Sequence, residues 1–279
     1  SATPFKKGVT CVQLWHANGA IKQFGLKDPS IQFRTERAYK RFRKVYSRFH
    51  RIVVGSDEMA EIFKQAFHVE DNIILKTGIP RTDIFFNNEQ INKLKDKLFN
   101  KYPMIKKKKV ILYTPTFRDQ QLRRHSIKLN INKLYEELKD DYVFMLRLHP
   151  AIMKKYENNY PDFIVDVSDY PDANHLLFVT DILISDYSSI PFEYALLEKP
   201  MIFYPYDLDE YKVSRGFWKN YEEMVPGPIA KNTDELINLI KEEQVDLSHI
   251  KEFSKKWNKY NDGFASERLI NYLYKDKKF

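Results

Sequence analysis

Residues 181–204 read DILISDYSSIPFEYALLEKPMIFY, and this stretch decides the fold. An apolar run ends in Ser185 and Asp186. A segment of helical period follows from Ser189 to Glu198, and a second apolar run closes at Tyr204. Both apolar runs are continuous. A strand with one wet face alternates apolar and polar residues, whereas a parallel strand covered by helices on both faces does not. Residues 110–115, VILYTP, have the same character. The pattern predicts an α/β protein with a doubly wound parallel sheet.

Working outward, strands are expected near 9–15, 50–54, 73–76, 110–114, 142–148, 163–166, 181–185 and 200–204. Helical period covers 34–48, 57–67, 88–100, 131–139, 172–178, 189–198, 233–243, 247–258 and 264–275. The run KYPMIKKKK at 101–109 places a proline and four lysines ahead of a fresh strand. It divides the chain into an N-terminal block, 1–105, and a C-terminal block from 106 onward. A solvated linker is the plain reading of the charge run itself. The first block has too few strands for a complete doubly wound sheet, and the sequence opens at SATPFKKG without an initiator methionine. N-terminal sequence is therefore expected to be missing.

The 279 residues are 43% hydrophobic, enough to bury a sizeable core or two domains of ordinary size. A net charge of +8 points to an anionic partner: nucleic acid, an anionic membrane or a phosphorylated small molecule. No recognised nucleic-acid module accompanies the charge, so nucleic acid is not expected as a partner. Cys11 is the single cysteine. That excludes a disulfide framework and a cysteine-based zinc site, and suits a reducing compartment. No apolar run reaches the length of a membrane span, so any work at a membrane is done from its surface. GxGxxG, P-loop and HExxH patterns are absent from the sequence.

In open α/β sheets, ligands sit beyond the carboxyl ends of the strands. Three expected strands end in polar clusters: Thr114, Thr116 and Arg118; Arg147 and His149; and Ser185, Asp186, Ser188 and Ser189. A helix start needs one cap, and the serine pair exceeds that. Unpaired amides, the positive end of a helix dipole and two hydroxyl donors suit a phosphate or diphosphate. Pro191 lies in the first turn, where a missing N–H costs little. Glu193, one turn further, can accept from a ribose hydroxyl. A well-capped helix with a surface acid explains this segment equally. Arg147 and His149 flank Leu148 and share one side of the strand, where a cation beside a histidine suits developing phosphate charge. A structural ion pair is the plainer alternative. Asp207 and Asp209 have the spacing some nucleotide-sugar enzymes use to hold a metal, although solvated loop acids are the more ordinary reading.

In VQLWHANGAIKQFG, residues 12–25, His16 ends a strand just before Asn18-Gly19. A histidine there can face a cleft as a general base. A structural histidine is the alternative, and both readings stand. Residues 34–51 combine a stripe of Ala38, Phe42, Val45 and Phe49, expected to pack on the sheet, with Arg34, Arg37, Lys40, Arg41, Arg43, Lys44, Arg48 and Arg51. Eight cations against one acid, Glu36, suit anionic headgroups or a phosphorylated acceptor, with a solvated helix as the alternative.

The segments LWHANGAIKQFG, GIPRTDIFF, ILYTPTFRD, RLHP, SDYSSIPFEYALLEKPMIFYPYDLDEY and NDGFASERLI, in that order, resemble the CDP-glycerol glycerophosphotransferases of Gram-positive wall teichoic acid synthesis. They cover nearly the whole chain. The resemblance implies a GT-B fold, with two Rossmann-like domains facing a cleft. Residues 1–105 would form a partial acceptor- and membrane-side domain, 106–255 the CDP-glycerol-binding domain, and 256–279 a helix crossing back. It implies a peripheral enzyme on the cytoplasmic face of the cell membrane. Such an enzyme moves glycerol phosphate from CDP-glycerol to a hydroxyl of an undecaprenyl-diphosphate-linked disaccharide and releases CMP. His16 would take the acceptor proton and His149 would stabilise charge on the diphosphate. Thr116, Arg118, Arg147, Ser185, Asp186, Ser188, Ser189 and Glu193 would bind CDP-glycerol. Arg37, Lys40, Arg41, Lys44 and Arg48 would meet the anionic membrane surface or the acceptor. No cofactor and no metal are expected, and the oligomeric state is left open.

The polymerase branch of that family often reads His-Gly-Thr-Pro where this chain has His16-Ala17-Asn18-Gly19. The form here is more similar to the primase branch, which adds the first glycerol phosphate. The alternatives are a glycerol-phosphate polymerase, a GT-B nucleotide-sugar glycosyltransferase that attacks at an anomeric carbon, and a non-catalytic binder that uses the basic helix.

Overall fold

The computed structural model describes residues 5–116, 118, 127–149, 156–242 and 246–274. Expected features that fall on residues 1–4, Asp119, Pro150, residue 243 and 275–279 lie outside the described residues. The chain runs β1 (Val12–Gln13), α1 (Glu36–Tyr46), β2 (Arg51–Val53), α2 (Asp57–Phe67), β3 (Ile74–Leu75), α3 (Asn88–Lys101), β4 (Lys109–Thr114), α4 (Ile131–Leu138), β5 (Tyr142–Leu146), β6 (Ile164–Asp166), α5 (Ala173–Leu177), β7 (Ile182–Ser185), α6 (Ile190–Tyr194), β8 (Met201–Phe203), α7 (Leu208–Arg215), α8 (Tyr221–Met224), α9 (Thr233–Lys241), α10 (Leu247–Trp257) and α11 (Ala265–Tyr274). All eight expected strands are present. Helices α7 and α8 lie where none was expected. LDEYKVSR in α7 buries only Tyr211 and so lacks the apolar stripe that reveals a helix.

The described residues divide into two compact units. The first takes those up to Asn87, Leu208–Tyr221 and those from Phe253; the second takes Asn88–Asp207 and Glu222–Glu252. The first division falls at Asn87, ahead of the expected break at 101–109, because α3 packs on α5 of the second unit.

In the second unit five parallel strands lie in the order β6-β5-β4-β7-β8. Counted along the chain that is third, second, first, fourth, fifth, the order of a doubly wound sheet, and its direction of winding reverses between β4 and β7. Tyr113 pairs with Leu146 on one side of β4, and Thr114 with Ser185 on the other. The continuous apolar runs are explained by cover on both faces. Ile111, Tyr113, Phe144, Leu146, Ile184 and Ile202 share one core with Leu134 and Leu138 of α4 and Leu236, Ile237 and Ile240 of α9. On the other side α6 packs on β7 and α5, and α5 on α3. Each fully buried large apolar side chain contributes about 1.5–3 kcal/mol.

The first unit holds a three-stranded parallel sheet, β1-β2-β3. Ile52, Val53 and Val54 at its centre are fully buried. Helix α2 follows at once because Ser56 Oγ accepts the Met59 amide (3.1 Å) and Asp57 and Glu58 occupy the first turn. It buries Met59, Ile62, Phe63, Ala66 and Phe67 and stops at His68, which has φ of +54°. Helix α1 differs from expectation: it buries no residue, and the expected packing of its stripe on the sheet is replaced by Tyr46 and Phe49 against Phe67 of α2, with ring centroids 4.6 and 5.4 Å apart. No helix among the described residues is long and apolar enough to cross a membrane.

Candidate active site

In the second unit, the carboxyl ends of β4 and β7 are joined by side chains at the point where the strand order reverses. Thr114 Oγ1 donates to Ser185 Oγ (3.2 Å), and both residues are buried. Further along, the Asp186 carboxylate accepts the Thr116 amide (2.9 and 3.0 Å), the Thr116 hydroxyl (2.5 Å) and the Tyr187 amide (2.6 Å). Arg118 Nη1 donates to the same carboxylate (2.9 Å), while its Nε and Nη2 fork onto Asp207 at 2.8 and 2.7 Å. Tyr187 Oη also donates to Asp207 (3.0 Å). The guanidinium lies against the rings of Tyr187 and Tyr206, 5.0 and 4.8 Å from their centroids. Burial opposes the charge of Arg118, but the Asp207 bonds and the nearby Asp186 hold its pKa above the ordinary value.

Ser185 and Asp186, expected at the ligand, are buried, with their side chains bonded to Thr114, Thr116 and Arg118. Arg118 engages two carboxylates. The serine pair divides its labour: Ser188 Oγ accepts the Ile190 amide (3.2 Å), whereas Ser189, the N-cap residue, makes no side-chain capping bond. One hydroxyl starts the helix and the other is not needed for that. Helix α6 has only five residues, so amides and hydroxyls outweigh its dipole. Pro191 sits in its first turn, as expected, and Glu193 within it is 2% exposed.

At the end of β5, Arg147 Nη1 donates to the carbonyls of Val167 (3.1 Å) and Tyr170 (2.7 Å). Burial lowers its pKa, though a guanidinium stays charged. His149, two residues on, is exposed. Strands β5, β4 and β7 are neighbours and parallel, so the three expected clusters leave one edge of the sheet, spread over about 10 Å.

In the first unit, His16 follows a residue in an unusual backbone state. Trp15 has φ of +59°, a strained region for a bulky side chain, costing on the order of 1–3 kcal/mol. Its surroundings hold it there. The Trp15 amide donates to Gln13 Oε1 (2.8 Å), and the ring stacks on Phe24 (4.9 Å) and meets Phe63 (5.5 Å) and Phe67 (5.6 Å) edge-on. His16 is exposed as a residue, while its ring sits 4.5 Å from that of Trp15 and is partly covered. Partial burial, then the charges of Arg81 and Lys22, lower the His16 pKa below its ordinary 6.5. The imidazole is thus neutral near pH 7, the form a general base needs.

The chain after His16 is anchored. Asn18 is fully buried, donates to Asn258 Oδ1, and accepts from Asn261 Nδ2 (2.9 Å). Asn261 Nδ2 also donates to Asn258 Oδ1 (2.8 Å), and Asn261 Oδ1 accepts the Ile79 amide (2.8 Å). Gly55 passes so close that a Cβ there would lie 2.3 Å from Asn18 Oδ1. Arg81 Nη1 donates to the His16 carbonyl. Asp83, two residues later, accepts the amides of Ala265 (2.9 Å) and Ser266 (2.8 Å) at the start of α11. The GIPRTD and NDGFAS segments are thus joined to each other and to the His16 turn. None of Arg81, Asn258 or Asn261 was singled out from sequence; for Arg81 and Asn261 the shared occurrence of GIPRTDIFF and NDGFASERLI in the motif set was the available signal.

On α1, Arg37, Lys40, Arg41 and Lys44 are exposed, Arg48 beyond it is half-buried over the ring of Phe5 (5.9 Å), and Phe33 just before it is 83% exposed. Lys40 approaches Glu36 at 3.9 Å. Among the described residues, no group of three or more His, Cys, Asp or Glu side chains is placed to hold a metal ion. Asp207 serves Arg118 and Tyr187, and Asp209 lies in the first turn of α7, where a carboxylate offsets unpaired amides.

Residues 2–275 match the family CDP-glycerol:poly(glycerophosphate) glycerophosphotransferase. The chain is 44% identical over 269 residues to the teichoic acid glycerol-phosphate primase of Bacillus subtilis strain 168, a match covering 96% of this chain and 68% of that one. It is 39% identical over 279 residues to the teichoic acid poly(ribitol-phosphate) polymerase of Bacillus spizizenii, covering 96% of this chain and 44% of the relative. Among solved structures it is similar to a variant of the wall teichoic acid polymerase TagF soaked with CDPG, with TM-score 0.85 and 33% identity over 98% of this chain and 69% of that chain.

Proposed function

The chain belongs to the CDP-glycerol:poly(glycerophosphate) glycerophosphotransferase family, and from that premise we propose that it is a teichoic acid glycerol-phosphate primase. Its reaction moves glycerol phosphate from CDP-glycerol to a hydroxyl of an undecaprenyl-diphosphate-linked disaccharide and releases CMP. In this reading the two units are the halves of a GT-B enzyme that works at the cytoplasmic face of the membrane. The second unit holds the donor, and the first supplies the base and the basic helix that meets anionic lipid.

The observation that carries the reading is the joining of Thr116 to Asp186 beside the Ser188-Ser189 turn, at the reversal point where such sheets take their ligands. The diphosphate lies against Ser189, Ser188 and the amides of the turn, with Glu193 toward the ribose. Asp186, Arg118 and Asp207 hold the strand tips in place from below, and Thr116 and Arg147 complete the wall. The acceptor oxygen attacks the β-phosphorus. A new P–O bond forms, the bond to CMP breaks, and neutral His16 takes the acceptor proton. His149 faces the charge that gathers on the departing CMP. Transfer of this kind depends mainly on positioning and charge stabilisation. The His16-Ala17-Asn18-Gly19 form and the higher identity to a primase than to a polymerase support primase over polymerase.

The test incubates purified protein with CDP-glycerol and a synthetic lipid-diphosphate disaccharide and follows product mass. One added glycerol phosphate is the expected result, and His16→Ala should lower turnover while leaving CDP-glycerol affinity in place. A ladder of additions makes the chain a polymerase. Absence of CMP release from CDP-glycerol, with turnover of a nucleotide-sugar instead, overturns the reading.

A further inference from the structure

Asn261 stands 243 residues after Asn18 and 182 after Ile79, yet it hydrogen-bonds both. We propose that Arg81 is a positioning residue for His16, and that Asn261 is the hub locking together the two segments that Arg81 joins. The proposal rests on the reading of His16 as the base.

Trp15 sits in a strained backbone state, so the direction in which His16 leaves it is not the one a relaxed chain adopts. The aromatic cluster holds the turn on its N-terminal side. On the C-terminal side the structure provides two ties. Arg81 bonds the His16 carbonyl itself, and Asn18, two residues on, is fixed among Asn258 and Asn261. Asn18, Asn258 and Asn261 are 0%, 5% and 6% exposed, and buried amides of this kind are kept only where their bonds are made. Asn261 then reaches the Ile79 amide, which fixes the backbone that carries Arg81. One buried amide therefore sets the distance between residues 79–81 and the histidine turn.

The same guanidinium also faces the imidazole electrostatically. The charged groups acting on His16 are Arg81 and Lys22, both cationic, with Lys22 lying over the Tyr211 ring at 6.0 Å. A purely structural clamp needs no charge. A clamp that also keeps the base unprotonated does, and the two roles separate on substitution.

The experiment measures kcat, KM for CDP-glycerol and the pH dependence of kcat/KM in the full chain for Arg81→Met and Arg81→Lys. In Arg81→Met, kcat should fall on the order of 10- to 100-fold with KM nearly unchanged. Its acid limb should move to higher pH, because a cation that disfavours protonated His16 has gone. Arg81→Lys should keep the acid limb in place and recover part of kcat. An acid limb unmoved in Arg81→Met overturns the proposal. Should that variant fail to fold, Arg81→Lys decides: a loss confined to KM overturns it, and a loss in kcat supports it. His16→Ala assayed alongside separates the two levels. Full turnover there removes the base assignment and this proposal together, whereas lost turnover with an unmoved limb in Arg81→Met removes this proposal alone.

Discussion

Arg118 places Nε and Nη2 on the two carboxylate oxygens of Asp207, 89 residues further along the chain, and leaves Nη1 for Asp186. A cation that the resemblance places at CDP-glycerol is the centre of an acid–base–acid triad. Breaking a buried pair strands a charge and costs about 3–5 kcal/mol. Asp186→Asn should therefore destabilise the protein by that order. Asp207→Asn should cost less, since the Asp207 side chain is 16% exposed and that of Asp186 only 2%. Denaturant titration of both variants checks the order, and equal losses would contradict it.

The two serines before α6 should separate. Ser188 caps the Ile190 amide, so Ser188→Ala should lose about 0.5–2 kcal/mol of stability as well as donor affinity. Ser189 makes no capping bond, so Ser189→Ala should weaken CDP-glycerol binding with an unchanged melting temperature. Calorimetry that finds normal affinity in Ser189→Ala would remove that hydroxyl from the donor site.

Gly55→Ala should be costly at a position with ordinary backbone angles. Its Cβ would fall 2.3 Å from Asn18 Oδ1 and 2.8 Å from Asn261 Nδ2, and neither amide can move without losing a buried bond. Overpacking of this kind costs about 1–3 kcal/mol. A melt that shows no loss would mean that the asparagine cluster is looser than its bonds indicate.

Substituting Arg37, Lys40, Arg41 and Lys44 together with glutamine should spare the fold, since these side chains are exposed and α1 buries nothing. At roughly 1 kcal/mol per cation near an anionic surface, binding to phosphatidylserine vesicles should fall by up to about 10³-fold. Flotation measured at low and high salt checks it; wild-type flotation in the variant removes α1 from the membrane.

The pH profile of kcat/KM should show an acid limb below the ordinary histidine value of 6.5. Burial, Arg81 and Lys22 all lower the His16 pKa, so the base stays neutral, and activity persists, to lower pH than for a free imidazole. An acid limb above 6.5 would contradict the environment described for His16.

Continuous apolar runs such as Ile182–Ile184 made the sheet legible, because two-sided burial removes the alternation that a half-wet strand must show. The clusters at the strand tips were legible for the same reason: polar residues directly after such a run have nowhere to go but the sheet edge. What those residues touch was not. Local spacing shows neither the cation 89 residues away that Asp207 meets nor the carbonyls after β6 that Arg147 meets. Helix α7 escaped notice because it buries one side chain. Asn258 and Asn261 escaped because a buried asparagine has no periodicity to betray it.

The bonds from Asn18 to Asn258 and Asn261 also set an order in time. A ribosome adds about 5–20 residues per second, so Asn18 emerges roughly 10–50 s before Asn261 exists. By then every strand among the described residues has been made, the last of them ending at Phe203. A nascent chain halted before Trp257 therefore contains the described strands and lacks the Asn258 and Asn261 amides that hold Asn18, two residues from His16. The turn that carries His16 is made early and finished late.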